Sequence, residues 1–76
     1  MVRAYVLIKT KTGAQRGVKN ALQALMHVKE VSMITGQYDI IAVVETKDTK
    51  TLGEVVAMQI PNIDGVEETC TCIAVD

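Results

Sequence analysis

Gly36-Gln37-Tyr38-Asp39-Ile40-Ile41-Ala42-Val43-Val44 runs from a glycine break straight into five consecutive apolar residues. A strand that alternates polar with apolar residues has one wet face, whereas an unbroken apolar run needs cover on both. Upstream, Val28 to Thr35 does alternate, with Val31 and Met33 opposite Ile34. Two strand-like runs separated by a short glycine-containing interruption predict a β-hairpin.

Outward from this hairpin the pattern repeats on both sides. Residues 2–10 alternate at period two, with Val2, Ala4, Val6 and Ile8 on one face and Arg3, Tyr5, Leu7 and Lys9 on the other. Thr12 and Gln15 have the spacing of a capping box, and Val18, Ala21, Leu22 and Leu25 then form one helical stripe. Gly17 weakens that helix by about 1 kcal/mol relative to alanine. Asp48 or Thr51 can cap a second helix, and Thr51 with Glu54 repeats the capping-box spacing. Its stripe is Leu52, Val55, Val56 and Ile60, ended by Pro61, which lacks a backbone donor. Asn62 to Gly65 read as a turn, and Val66 to Val75 as the last strand.

The predicted order is strand, helix, strand, strand, helix, strand. Two βαβ-like halves meeting at a hairpin give an α+β, ferredoxin-like fold, a four-stranded antiparallel sheet with both helices on one face. The opposite face should then be polar, but these strands supply apolar groups to both. Burying one Val, Leu or Ile contributes roughly 1.5–3 kcal/mol, so leaving several wet is a serious loss. A bare apolar sheet face requires a partner, and the economical one is a second copy related by two-fold symmetry.

Composition agrees. The 76 residues are 49% hydrophobic, yet the only aromatics are Tyr5 and Tyr38. The apolar mass is carried by β-branched and small residues, a sheet-favouring profile. A core of this size seldom supplies more than ~3–5 kcal/mol without a staple, and oligomerisation is the staple left when disulfide and metal patterns are missing. High apolar content with a net charge of −1 excludes disorder and argues against a nucleic-acid partner. No apolar run approaches the ~20 residues that span a bilayer, no basic-then-apolar leader opens the chain, and two cysteines make no disulfide framework. A cytoplasmic protein with no membrane contact is the expectation.

Several residues invite a chemical reading. Cys70-Thr71-Cys72 places two thiols on one strand face, ~6.6 Å apart along the chain; with no further ligands nearby in sequence, they are expected as small core residues. His27, the only histidine, follows the first helical stripe and is expected at the surface. Lys11, Thr12, Gly13 and Arg16 can hold an anion at a helix start or simply be a capped, solvated turn, and the Glu67-Glu68 pair reads as a solvated edge. No nucleophile–base pair stands out. The stretch Gly36-Gln37-Tyr38-Asp39 combines a close-approach backbone with a carboxylate, and Thr69 and Thr71 put two hydroxyls on one strand face. Such a set suits a zwitterion, whose carboxylate takes N–H and hydroxyl donors and whose ammonium takes acceptors.

Ala4-Tyr5-Val6-Leu7-Ile8, the Gly13 loop, Val18 with Ala21-Leu22, Gly36-x-Tyr38-Asp39-Ile40 and Gly65-Val66-x-x-Thr69-x-Thr71 together resemble the effector domain of the leucine-responsive regulator/AsnC transcription factors, also called RAM. The resemblance covers essentially the whole chain, so residues 1–76 are expected as one such domain. It implies sheet-to-sheet homodimers joined into octamers or similar rings, and a small amino acid effector bound where dimers meet. The implied effector-binding residues are Gly36, Tyr38, Asp39, Thr69 and Thr71, with Thr35 as a neighbour; no cofactor, metal or catalytic residue is implied. Position 12 is threonine where this family often has proline. Family regulators carry a helix-turn-helix domain ahead of this module, whereas here the first strand starts at Val2. A stand-alone module that does not itself bind DNA is expected, with full-length relatives as candidate partners. The competing readings are a monooxygenase-like or acylphosphatase-like enzyme on the same scaffold, and an assembly module with no ligand. The first rival is usually lined with histidine and aromatics, and the second needs an arginine loop that Arg16 near Gly13 matches only thinly.

Overall fold

A computed structural model describes residues 1–76. Strands β1 (Val2–Thr10), β2 (Val28–Met33), β3 (Ile40–Thr46) and β4 (Val66–Ile73) alternate with helices α1 (Gln15–Gln23) and α2 (Thr49–Glu54), in the predicted order. The sheet order is β2-β3-β1-β4 and every neighbouring pair is antiparallel. This is the ferredoxin-like α+β fold. No helix is long and apolar enough to cross a membrane.

Register fixes which residues share a face, because directly paired residues point the same way. Val6 pairs Ala42 and Thr71, and Ile8 pairs Ile40 and Thr69. These rows lie under the helices: Ala4, Val6, Ile8, Ile40, Ala42 and Val44 are fully buried, closed by Val18 and Leu22 of α1 and by Leu52, Val55 and Ile60 from the second helical segment. The odd-numbered rows of β1 face the other way. There Leu7 pairs Ile41 and Cys70, and Tyr5 pairs Val43 and Cys72. Leu7, Ile41, Tyr5 and Val43 are only half-buried, so the centre of the helix-free face is apolar and partly open.

The structure corrects four local expectations. Thr12 does not cap α1: it sits in a turn closed by the Ala14 N–H donating to the Lys11 carbonyl at 3.0 Å, and Ala14 takes the N-cap position without a side-chain cap. Gly13, at φ +83°, supplies the left-handed residue that this turn needs and delays the helix. At α2 the cap is Asp48, whose Oδ1 accepts from the Thr51 N–H at 2.7 Å, so Thr51 lies inside the helix and the Thr51–Glu54 box does not form. Cys70 and Cys72 are not core residues: both sit on the helix-free face, half-buried and exposed respectively, because register pairs them with Leu7 and Tyr5. Finally, β2 and β4 stop at Met33 and Ile73, two residues short of their predicted ends.

The second helix also changes pitch. Val55–Gln59 is a π-helix, with the Ile60 N–H donating to the Val55 carbonyl at 2.9 Å. On an α-helix five residues advance the chain by about 140° beyond a full turn, which would turn Ile60 away from the face of Val55. The wider turn returns Ile60 to the core, where both residues are fully buried.

Gly65 shows why one glycine is fixed. Its φ is +101°, and a Cβ there would stand 2.8 Å from the Ala14 Cβ and 3.1 Å from Val18 Cγ2. Its carbonyl accepts from the Lys11 N–H at 2.8 Å, tying the end of β1 to the start of β4.

Candidate functional site

The ends of β1, β3 and β4 meet beside the β2–β3 loop, and Asp39 organises the junction. Its backbone N–H donates to the Ile8 carbonyl at 2.9 Å, and its carbonyl accepts from the Ile34 N–H at 2.9 Å. Its Oδ2 accepts from the Thr10 N–H at 2.8 Å and from Thr10 Oγ1 at 3.2 Å. Both ends of the loop 35–38 are thereby fixed, and Gly36 turns it at φ +132°. No side chain crowds Gly36, so the requirement there is backbone conformation alone.

The loop leans Gln37 and Tyr38 across the end of β1 toward β4. With Lys9 and Glu68 they line an open depression of about 280 Å³. Lys9 and Glu68 are the last partners of the regular β1–β4 register, and the bulge at Glu67 comes just beyond them, shifting the next pairing to Thr10–Val66. They form no ion pair; the ion pair of this sheet joins Arg3 to Glu45 on β1 and β3, with Arg3 Nε donating to Glu45 Oε2 at 2.9 Å. Tyr38 stands beside Cys70, whose charge disfavours the phenolate, and desolvation and the charge of Glu68 add to this. The tyrosine pKa is thereby raised above its ordinary value of 10.0. Cys70 likewise raises the thiol of Cys72, which makes that thiol a poor nucleophile.

The six residues named from sequence do not converge on one spot. Tyr38 lines the depression; Gly36 and Asp39 build the loop that carries it; Thr35 is exposed at the loop's start. Thr69 and Thr71 pair Ile8 and Val6, so they project on the helix side of the edge strand β4, across the sheet from Lys9. The depression adds three residues that sequence reading left aside: Lys9, Gln37 and Glu68. Lys9 read as an ordinary polar position and Glu68 as a solvated edge, and nothing in one sequence announces that the β1–β4 register sets them opposite each other.

Comparison with known proteins places this arrangement. The family model for the Lrp/AsnC ligand binding domain matches residues 3–76. The HTH-type transcriptional regulator FL11 of Pyrococcus furiosus is 35% identical over 72 residues, covering 95% of this chain and 47% of the regulator. The chain thus spans about half the length of the curated relatives it matches. Among solved structures, TTHA0845 from Thermus thermophilus superimposes with a TM-score of 0.95 at 37% identity, covering 100% of this chain and 95% of that one. AsnC of E. coli superimposes at 0.92 with 26% identity, covering 99% of this chain and 51% of that one. With a match across nearly its whole length and a fold shared with AsnC, the chain belongs to the Lrp/AsnC ligand-binding domain family.

Proposed function

We propose that this chain is a non-enzymatic, amino-acid-responsive assembly module of a transcription regulator. The observation that carries this reading is the helix-free sheet face. Tyr5, Leu7, Ile41 and Val43 form a contiguous apolar centre that a single chain leaves half-open. Completing the burial of such side chains contributes about 1 kcal/mol each, and a second copy laid sheet against sheet completes all of them at once. Family membership supports a ligand-binding role, and the β2–β3 loop, hydrogen-bonded at both ends, is the proposed place for it.

In this reading dimers join into a larger ring, such as an octamer, and the effector binds where dimers meet. The loop from Thr35 to Asp39 at the end of the sheet, and Thr69 and Thr71 on the helix side of the edge strand β4, are the proposed contact residues. An effector that binds one assembly state better than another shifts the equilibrium by its differential affinity and by no more. Co-assembly with full-length relatives would carry that shift to DNA. An enzymatic role is disfavoured by the placement of the only histidine: His27 precedes β2 and its carbonyl accepts from the Glu45 N–H at 3.0 Å. That is the far end of β3 from Tyr38, ~20 Å away along the strand. Light scattering across the twenty amino acids tests the proposal. A change in assembly mass with at least one of them supports it, and an unchanged mass with no heat of binding for any of them refutes it.

A further inference from the structure

We infer that Cys70 and Cys72 form a two-thiol clip for one soft monovalent cation of the copper(I) type, and that loading this clip opposes assembly through the helix-free sheet face. The clip stands independently of the functional reading above; its coupling to assembly rests on the sheet-to-sheet part of that reading.

Three observations carry it. Both cysteines are free, and both stand on the helix-free face of β4, Cys70 opposite Leu7 and Cys72 opposite Tyr5. Their thiols act on each other, since a hydrogen bond with Cys70 is the first cause of the raised Cys72 pKa. No third His, Cys, Asp or Glu joins them in a group that could hold a metal ion.

This geometry selects the ligand. Residues two apart on a strand lie ~6.6 Å apart with parallel side chains, whereas a disulfide needs Cβ atoms about 3.5–4.5 Å apart. The pair therefore resists closing on itself. An atom placed between the sulfurs relaxes that demand, because two metal–thiolate bonds of about 2.3 Å laid end to end hold sulfurs about 4.6 Å apart. Two ligands are too few for the tetrahedral shell of zinc or the oxygen-rich shells of calcium and magnesium. Thiolates select soft cations, and copper(I) binds two of them in a line. Loading releases both thiol protons to solvent, forms two metal–sulfur bonds and changes no oxidation state.

One cation between two thiolates leaves one net negative charge beside Leu7 and Tyr5, within the apolar area that a second copy would bury. Arg3, two residues from Tyr5 on the same strand face, is already paired with Glu45. Burying a charge without a partner is costly, so the loaded clip and the sheet-to-sheet contact exclude one another. By linkage, assembly weakens cation binding by the same factor. The clip needs to be uncovered only in the separate protomer.

The experiment is an anaerobic titration of the reduced full chain with copper(I), held against bicinchoninate as a competing chelator, in wild type, Cys70→Ser and Cys72→Ser. Circular dichroism verifies each fold. The expected result is one copper(I) per chain, not displaced by excess zinc. Each serine removes one of two ligands, so either variant should lose more than the about 10–100-fold that removing an outer-shell partner costs. Wild-type affinity in either variant, or one cation shared by two chains, overturns the clip. Sedimentation velocity on the same samples reads the coupling: stoichiometric copper(I) should lower the mean mass of the wild-type chain and leave both serine variants unchanged. A wild-type mass that bound copper(I) does not move overturns the coupling alone. A wild-type chain already monomeric without the cation overturns the assembly reading and the coupling with it, while one copper(I) per chain still supports the clip.

Discussion

Asp39 and Thr10 are held together twice, the carboxylate Oδ2 accepting the Thr10 N–H at 2.8 Å and its hydroxyl at 3.2 Å. Thr10 is buried and closes β1, so this pair decides where the β2–β3 loop stands relative to the sheet. Hydrogen bonds to charged groups contribute roughly 1.5–3 kcal/mol each, and leaving the Thr10 donors unsatisfied adds a penalty. Asp39→Ala should therefore cost about 2–3 kcal/mol and lower Tm by roughly 10–20 °C. Asp39→Asn, which keeps an acceptor, should cost less than half as much. Thermal melts of the two variants check this, and equal losses would contradict it.

Gly65 and Gly17 should respond in opposite directions to alanine. At Gly65 the left-handed φ costs about 1–2 kcal/mol and the new methyl must push Ala14 or Val18, so a loss of about 2–4 kcal/mol is expected. Gly17 lies inside α1 with nothing within 4 Å of a new Cβ, and Gly17→Ala should stabilise by roughly 0.5–1 kcal/mol. Denaturant titration of the pair reads both signs in one assay.

The cap of α2 carries a pH signature. The Thr51 N–H donating to Asp48 holds that carboxyl below its ordinary value of 3.8. A depressed folded-state pKa means the contribution is full above the unfolded value and is lost as pH falls through the lower folded one. Asp48→Ala should lower Tm by a few degrees near neutral pH, and the gap to wild type should shrink as the pH drops below 3.8. A gap that is constant down to strong acid would show that the carboxylate is not what stabilises the helix start.

How far the sequence alone reached can be traced residue by residue. The span of β1, Val2–Thr10, is legible because alternation needs only local pattern. The hairpin is legible because Gly36 breaks two strand-like runs, and the closing turn because Gly65 precedes one. The cap at Asp48 is narrowed to two residues by side-chain chemistry, but choosing between them requires knowing where β3 ends. Thr12 mimics a cap because a turn residue and a cap residue share the same chemistry, and the Gly13 conformation that separates them is not written in the spacing. The π-turn at Val55–Gln59 is set by what Ile60 must reach in the core, a tertiary demand.

The site was less legible than the fold for one reason, the parity of β4. A strand's alternation says that Thr69 and Thr71 share a face opposite Cys70 and Cys72, but only pairing with β1 says which face is which. The same pairing, before the bulge at Glu67 interrupts it, brings Glu68 to Lys9. Both facts depend on long-range register, which a single sequence does not record. Tyr38 was legible because the loop chemistry around it is local.

Covering the apolar sheet face is the central claim, and Leu7 with Val43 lies at its middle. Leu7→Asp places a charge among half-buried aliphatics without touching the helix-side core, so it should abolish assembly and leave the monomer's secondary structure in place. Sedimentation velocity at micromolar concentration, with and without the tightest-binding amino acid, is the most direct measurement. The account predicts a dimer or larger for the wild-type chain, a shift in its mass on adding the amino acid, and a monomer for Leu7→Asp. A wild-type chain that sediments as an 8.3 kDa monomer under every condition would contradict it.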